Sequence, residues 1–244
     1  MMIIMPYYDS GDLIHYITKN FYNISWKEKL TSIKRIINGL YYLHRAKITH
    51  RDFHSGNIFF GNNGAIIGDL GLSKSATTES TDNDNEKYGI VPYMAPEIFQ
   101  GQKYTEKSDI YSLGMIMWEV MTGRRPFWDR NHDTDLIIDI VDGLRPPIVT
   151  NAPEGYIKLM KECWNPDPDK RPTAESIINR YDYSKNKFAI MLNNEQQIPT
   201  KIIESSDIGP VIYNPGAIYK SRPLSGMINS AMSLRSLRTR STGK

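Results

Sequence analysis

The stretch Asp109–Met121 constrains this chain more than any other. It is nearly all apolar, so a helix built from it has no polar side to give to solvent. Such a helix is buried on most of its surface, and Gly123 closes it in the usual C-terminal position. A chain of 244 residues with 40% apolar content can supply the core around it, as one large domain followed by a tail.

The remaining patterns predict a mainly α fold with a few short strands. Met1–Met5 is a short apolar run ended by Pro6 and reads as a strand entering a turn. Ser25-Trp26-Lys27-Glu28 fits a capping box, in which the serine accepts from an amide three residues on and the glutamate reaches back. A helix is expected to follow, because Trp26, Leu30, Ile33, Ile37, Leu40 and His44 recur at three- and four-residue steps. Ile58-Phe59-Phe60 and the run 65–68 read as two strands joined by an asparagine-glycine turn. Two further helical patterns lie near 135–141 and 154–164, and Pro172 fits the first turn of a last helix running towards Tyr181. The polar run 73–86 reads as a mobile loop. Beyond Lys185 the apolar period fades. From Pro210 onward the chain is rich in Ser, Gly, Pro and Arg with no acidic residue, which predicts a disordered tail over 183–244.

The formal charge of +3 is uneven. Residues 201–244 carry seven Lys/Arg against two Asp/Glu, so the other 200 residues sum to about −2 and give no electrostatic case for nucleic acid. The basic tail lacks aromatic interleaving for base stacking and amphipathic order for a membrane surface. Cys163 stands alone, which excludes an intramolecular disulfide and suits a reducing, intracellular and cytoplasmic setting. No run approaches the roughly 20 apolar residues that span a bilayer.

Chemistry concentrates in three motifs. His50-Arg51-Asp52-Phe53-His54-Ser55-Gly56-Asn57 is followed by Asp69-Leu70-Gly71 and then by Ala95-Pro96-Glu97. Asp52 stands where a carboxylate would accept the proton of a substrate hydroxyl. Asn57 offers a neutral oxygen to a magnesium ion, and Asp69 would bridge magnesium to phosphates, since a hard cation prefers oxygen ligands. Each alone is a weak signal, because a lone loop Asp is far more often a helix cap or turn residue. Three unrelated caps in this order and spacing are a poor alternative.

Residues 1 to about 182 resemble the hinge and large C-terminal lobe of a eukaryotic protein kinase, nearest to its tyrosine-kinase-like group. The resemblance rests on those motifs and on Ser108–Gly114, Gly123–Phe127, Cys163-Trp164, Asp167, Arg171 and Pro172, with Arg145-Pro146-Pro147 and His54-Ser55-Gly56 favouring the group. It implies a hinge remnant over 1–9, a large lobe over 10–182, and ATP and Mg2+ as cofactors with a protein as substrate. Asp109 is expected to brace the catalytic loop, and Glu97 and Arg171 to form a buried ion pair. Met5 aligns with the gatekeeper, Pro6 and Tyr8 with the hinge, Asp12 with a ribose contact and Phe59 with the floor beneath adenine. Pro6 is tolerable there, because its carbonyl is the group that reads adenine.

The chain also departs from the pattern. No glycine-rich phosphate loop and no strand lysine is present, so it reads as the catalytic lobe without its nucleotide lid, a fragment of a longer product in preference to a genuine lid-less remnant, with a partner or the missing small lobe expected over its hinge face. Activity alone is not expected, because the family needs a lysine–glutamate pair as well as the metal-binding Asp. The alternative is a non-catalytic binding module. His54 stands at the usual lysine position and Ile90 at the usual threonine, which leaves the substrate hydroxyl unassigned, with Ser/Thr favoured over Tyr. Leu70 replaces a common phenylalanine and is expected to fill the same apolar slot. His50 is expected to pack rather than carry protons. Arg51 marks a subclass whose loop is ordered by phosphorylation, with Thr77, Thr78, Ser80, Thr81 and Tyr88 as candidate sites.

Overall fold

The computed structural model describes residues 8, 10–61, 64–75, 86–149, 152, 154–182 and 207–242. Its centre is the helix that the apolar run predicts, α4 (Glu106–Thr122), in which every residue from Ser108 to Thr122 is buried. Gly123 ends it at φ 73°, a left-handed conformation that glycine adopts without strain, and donates its amide to Glu119 O at 2.7 Å.

Ahead of α4 come α1 (Leu13–Asn20), α2 (Trp26–Arg45) and the four-residue α3 (Pro96–Phe99). The capping box of α2 is complete: Glu28 N donates to Ser25 Oγ at 3.2 Å, and Ser25 N donates to Glu28 Oε2 at 2.7 Å. Its predicted apolar stripe is buried in full. Behind α4 lie α5 (Thr134–Val141), α6 (Glu154–Cys163) and α7 (Ala174–Asp182). α4 packs on α2 and α6, and α2 packs on α7. Gly114 permits the α4–α6 approach, because a Cβ there would stand 3.0 Å from the Trp164 amide nitrogen. Pro172 precedes the cap of α7 instead of entering its first turn: Thr173 and Ser176 cap one another reciprocally.

Strands are short and pair in twos. β1 (Ile48–Thr49) pairs with β4 (Lys74–Ser75), and β2 (Ile58–Gly61) with β3 (Gly64–Ile67), both antiparallel. The asparagines of the predicted turn lie outside the described residues, as do Met1–Met5 and most of the polar run 73–86. β5 (Tyr88–Gly89) pairs antiparallel with β6 (Arg222–Pro223).

That last pairing corrects the expected disorder for the described part of the tail, 207–242; residues 183–206 lie outside the described residues. Residues 207–242 are folded onto the lobe, ending in α8 (Ser225–Thr242), which packs on α5. Few side chains anchor it, chiefly Ile208, Leu224, Ile228 and Ala231, all buried. The rest is polar. The Arg124 guanidinium donates to Ile208 O and Gly209 O, Gly209 N donates to Thr122 O, and Asn214 N donates to Trp128 O. Arg235 and Arg238 pair with Asp142 and Asp135 at α5. Backbone-to-body hydrogen bonds leave no apolar period, which is why composition pointed to disorder. Among the described residues, no helix is long and apolar enough to cross a membrane.

Candidate active site

The catalytic-loop residues are held by the start of α4. Asp109, 1% exposed, accepts from His50 N at 2.9 Å through Oδ2 and from Arg51 N at 3.0 Å through Oδ1. His44 Nε2 lies 2.9 Å from the same Oδ2. One buried carboxylate thus fixes two successive amides. Arg51 needs that hold, because its φ of 73° is costly for a side chain with a Cβ, ~1–3 kcal/mol. Its guanidinium also lies over the Tyr104 ring, 4.9 Å from the centroid. His50 is fully buried with Nε2 3.1 Å from Gly68 O, and its ring tilts against Phe53. It joins the loop to the end of β3, the packing role that the sequence predicts.

Asp52 follows at 8% exposure. Its backbone carbonyl accepts from Asn57 Nδ2 at 2.9 Å, which spends the amide's donor internally and leaves Asn57 Oδ1 as a hard ligand. Asn57 O accepts from Gly68 N at 2.8 Å, so the β2–β3 hairpin delivers Asp69 beside Asn57 in the fold. Asp69 is exposed at φ 53°, and its Oδ1 accepts from Gly71 N at 3.2 Å. A carboxylate and an amide oxygen on neighbouring loops suit magnesium, which takes few protein ligands and keeps waters.

His54 is the partner that sequence reasoning missed. Its Nδ1 accepts from Gly56 N at 3.1 Å, which puts the ring proton on Nε2, 3.5 Å from Asp52 Oδ2. Burial pushes the Asp52 carboxyl up. The interaction with His54, with Ser221 and His50, outweighs it and holds the group below its ordinary value. Asp52 is thereby kept ionised. Its second missed neighbour is Ser221, whose Oγ donates to Asp52 Oδ2 at 2.5 Å. A basic-flanked serine, Lys220-Ser221-Arg222, was the available signal.

Beneath the loop, Glu119 of α4 accepts at Oε1 from Tyr93 at 2.5 Å and from Ser55 at 3.1 Å. Burial pushes its carboxyl up to about 7. The lone acid of the apolar run Ile110–Met121 is its signal in the sequence. Ile90, at the threonine position, is buried as a core residue. Arg171 and Glu97 form the expected pair, Nη1–Oε1 at 2.6 Å and Nη2–Oε2 at 2.7 Å, with the Arg171 side chain fully buried.

The residues that the resemblance assigns to a nucleotide are partly described. Tyr8 stacks on Phe59 with centroids 5.7 Å apart, and Asp12 forms a bridge to Phe59. Asp12 caps α1, with Oδ1 accepting from His15 N at 2.8 Å, so one of its oxygens is already used by the helix. Met5, Pro6, Thr77, Thr78, Ser80 and Thr81 lie outside the described residues. Tyr88 is exposed and shares a cleft with Arg51 and Lys74. Leu70 does not fill an apolar slot. A turn in which Ser73 N and Oγ both donate to Leu70 O carries it outward, 44% exposed.

A profile of the family described as protein tyrosine and serine/threonine kinase matches residues 1–181. R818 of Acanthamoeba polyphaga mimivirus, named as a serine/threonine-protein kinase/receptor, is 38% identical over 156 residues, 63% of this chain and 9% of that protein. The protein roco5 of Dictyostelium discoideum, named as a serine/threonine-protein kinase, is 35% identical over 193 residues, 73% of this chain and 7% of its own length. Stress-activated protein kinase alpha of the same organism is 31% identical over 201 residues, 77% of this chain and 32% of that protein. The chain thus spans less than a third of the length of each of these relatives. Matched across most of its residues, the chain belongs to the protein tyrosine and serine/threonine kinase family.

Proposed function

We propose that this chain is the catalytic lobe of a tyrosine-kinase-like protein kinase that transfers the γ-phosphoryl group of ATP to a serine or threonine hydroxyl of a protein. One observation carries the reading. The Asp109 brace, the Asn57–Asp52 hydrogen bond and the Asn57–Gly68 hydrogen bond gather a depressed-pKa carboxylate and two hard oxygen ligands at one edge of the lobe. Phosphoryl transfer asks the protein for positioning and charge compensation, and these residues are suited to both. Asp52 orients the acceptor hydroxyl and takes its proton. Asn57 and Asp69 hold magnesium, which when bound neutralises charge on the phosphates. Tyr8, Asp12 and Phe59 form the adenosine side of the cleft, with Met5 and Pro6 as the gatekeeper and hinge. The preference for Ser/Thr follows the names of the similar proteins.

Ile66, Leu70 and Leu72, each within three residues of Asp69 in the chain, are exposed. We assign that surface to a kinase small lobe that supplies the phosphate-covering loop and the lysine, on the same longer protein or on another. Phosphorylation at Thr77, Thr78, Ser80, Thr81 or Tyr88 would supply a dianion of the kind a guanidinium such as that of Arg51 grips. The test uses the assembled kinase, meaning the full-length protein with the small lobe that completes it. Magnesium-dependent transfer of labelled phosphate to a protein substrate is expected, and Asp69→Asn should abolish it. Undiminished transfer by Asp69→Asn would refute the metal assignment, and no transfer by the native protein would favour a lobe that only binds partners.

A further inference from the structure

We propose that Ser221 is a phosphoacceptor of this lobe's own active site, and that residues 218–224 form an intramolecular peptide substrate seated in the acceptor groove. This rests on the kinase reading above and extends it to a modification site. The hydroxyl of Ser221 meets Asp52 Oδ2 at 2.5 Å, the position of the nucleophile relative to its base. The carboxylate it reaches is nearly buried, so the serine enters the site and does not merely lie over it.

The main chain on both sides explains how it gets there. Immediately after Ser221, Arg222 and Pro223 add as a strand to Gly89 and Tyr88, in the segment that leads to Ala95-Pro96-Glu97. Leu224 N then donates to Lys87 O at 2.8 Å, and the Leu224 side chain is 1% exposed. Strand addition fixes register, and a slip of one residue would turn Ser221 away from Asp52. Arg222 Nη2 donates to His132 O at 2.8 Å. On the other side, Tyr219 donates its hydroxyl to Pro126 O at 3.0 Å, sets its ring edgewise to His132, and lies under the Arg125 guanidinium. His132 Nδ1 sits 2.9 Å from Ile218 O, and His132 N donates to Gly216 O at 2.9 Å. A serine that only satisfied the Asp52 carboxylate would need none of these flanking sites. A segment acting as a plain plug would not place a hydroxyl on the base.

The reaction balances with ATP as co-reactant. Ser221 Oγ attacks the γ-phosphorus of ATP and forms the new P–O bond, while its proton passes to the Asp52 carboxylate. The bond from the γ-phosphorus to the β–γ bridging oxygen breaks, and that oxygen keeps the electron pair as ADP leaves.

The experiment incubates the phosphatase-treated assembled kinase with ATP and magnesium at protein concentrations spanning a hundredfold, with myelin basic protein as a separate substrate, and maps sites by tandem mass spectrometry. Phosphate at Ser221 is expected, forming with a first-order rate constant independent of protein concentration. Ser221→Ala should lose that phosphate. Leu224→Asp, which unseats the segment without touching Asp52, should slow Ser221 modification at least tenfold. A rate constant proportional to protein concentration would overturn the intramolecular assignment. Phosphorylation of the added protein with Ser221 unmodified would overturn the proposal and leave the kinase reading standing. No phosphate on either substrate would overturn both.

Discussion

Removing the Arg171 guanidinium should cost more stability than any other single polar change in the lobe. All five of its N–H donors are used. Nε donates to Asn165 O at 2.7 Å, Nη1 to Glu97 Oε1 and to Lys107 O at 2.9 Å, and Nη2 to Glu97 Oε2 and to Pro166 O at 3.3 Å. The side chain is wholly buried, and Glu97 is 5% exposed. Arg171→Met keeps much of the volume but leaves a buried carboxylate without its counter-charge and three carbonyls without their donor. Breaking one side of a buried pair costs about 3–5 kcal/mol. For a chain of this size 1 kcal/mol shifts Tm by roughly 2–4 °C, so the loss should be about 6–20 °C. Replacing both partners is a different perturbation, since no charge is then stranded. Glu97→Leu combined with Arg171→Met should therefore recover part of the loss. Thermal and urea unfolding followed by circular dichroism gives both numbers. A single variant within about 1 kcal/mol of the native protein, or a double variant as unstable as the sum of its parts, would refute the reasoning.

Two further predictions concern the central helix. Glu119 is pushed up from 4.5 to about 7 by burial, so between those values the folded protein holds a proton that the unfolded chain has released. Its contribution is full below pH 4.5 and is lost as pH rises through about 7, a change on the order of 3 kcal/mol. Glu119→Gln should flatten that slope, read as the urea midpoint from pH 5 to 8; an unchanged slope would assign it to other groups. Gly114→Val should destabilise by about 1–3 kcal/mol through overpacking against Trp164 and Cys163, and a neutral result in the same unfolding assay would show that α6 can yield.

What the sequence disclosed follows the range of each interaction. The Ser25–Glu28 box, the α2 stripe and the apolar run of α4 are local signals, and each folds as its spacing predicts. Glu97–Arg171 and the Asp109 brace span 74 and 59 residues, and only the family resemblance made them visible. Ser221 and Asp52 are 169 residues apart, tied by a strand pair of two residues and a handful of backbone hydrogen bonds. No period records such a contact. Leu70 misled for a related reason: its type fits a slot, but the turn held by Ser73 decides which way it faces.

Whether Asp52 serves as the base for a hydroxyl acceptor is read from kcat for phosphate transfer by the assembled kinase carrying Asp52→Asn, at saturating ATP, magnesium and protein substrate. Asparagine preserves size and removes the proton-accepting charge. A fall of roughly 100-fold or more in kcat is expected, with ATP affinity little changed. A kcat within a few-fold of the native value would contradict it.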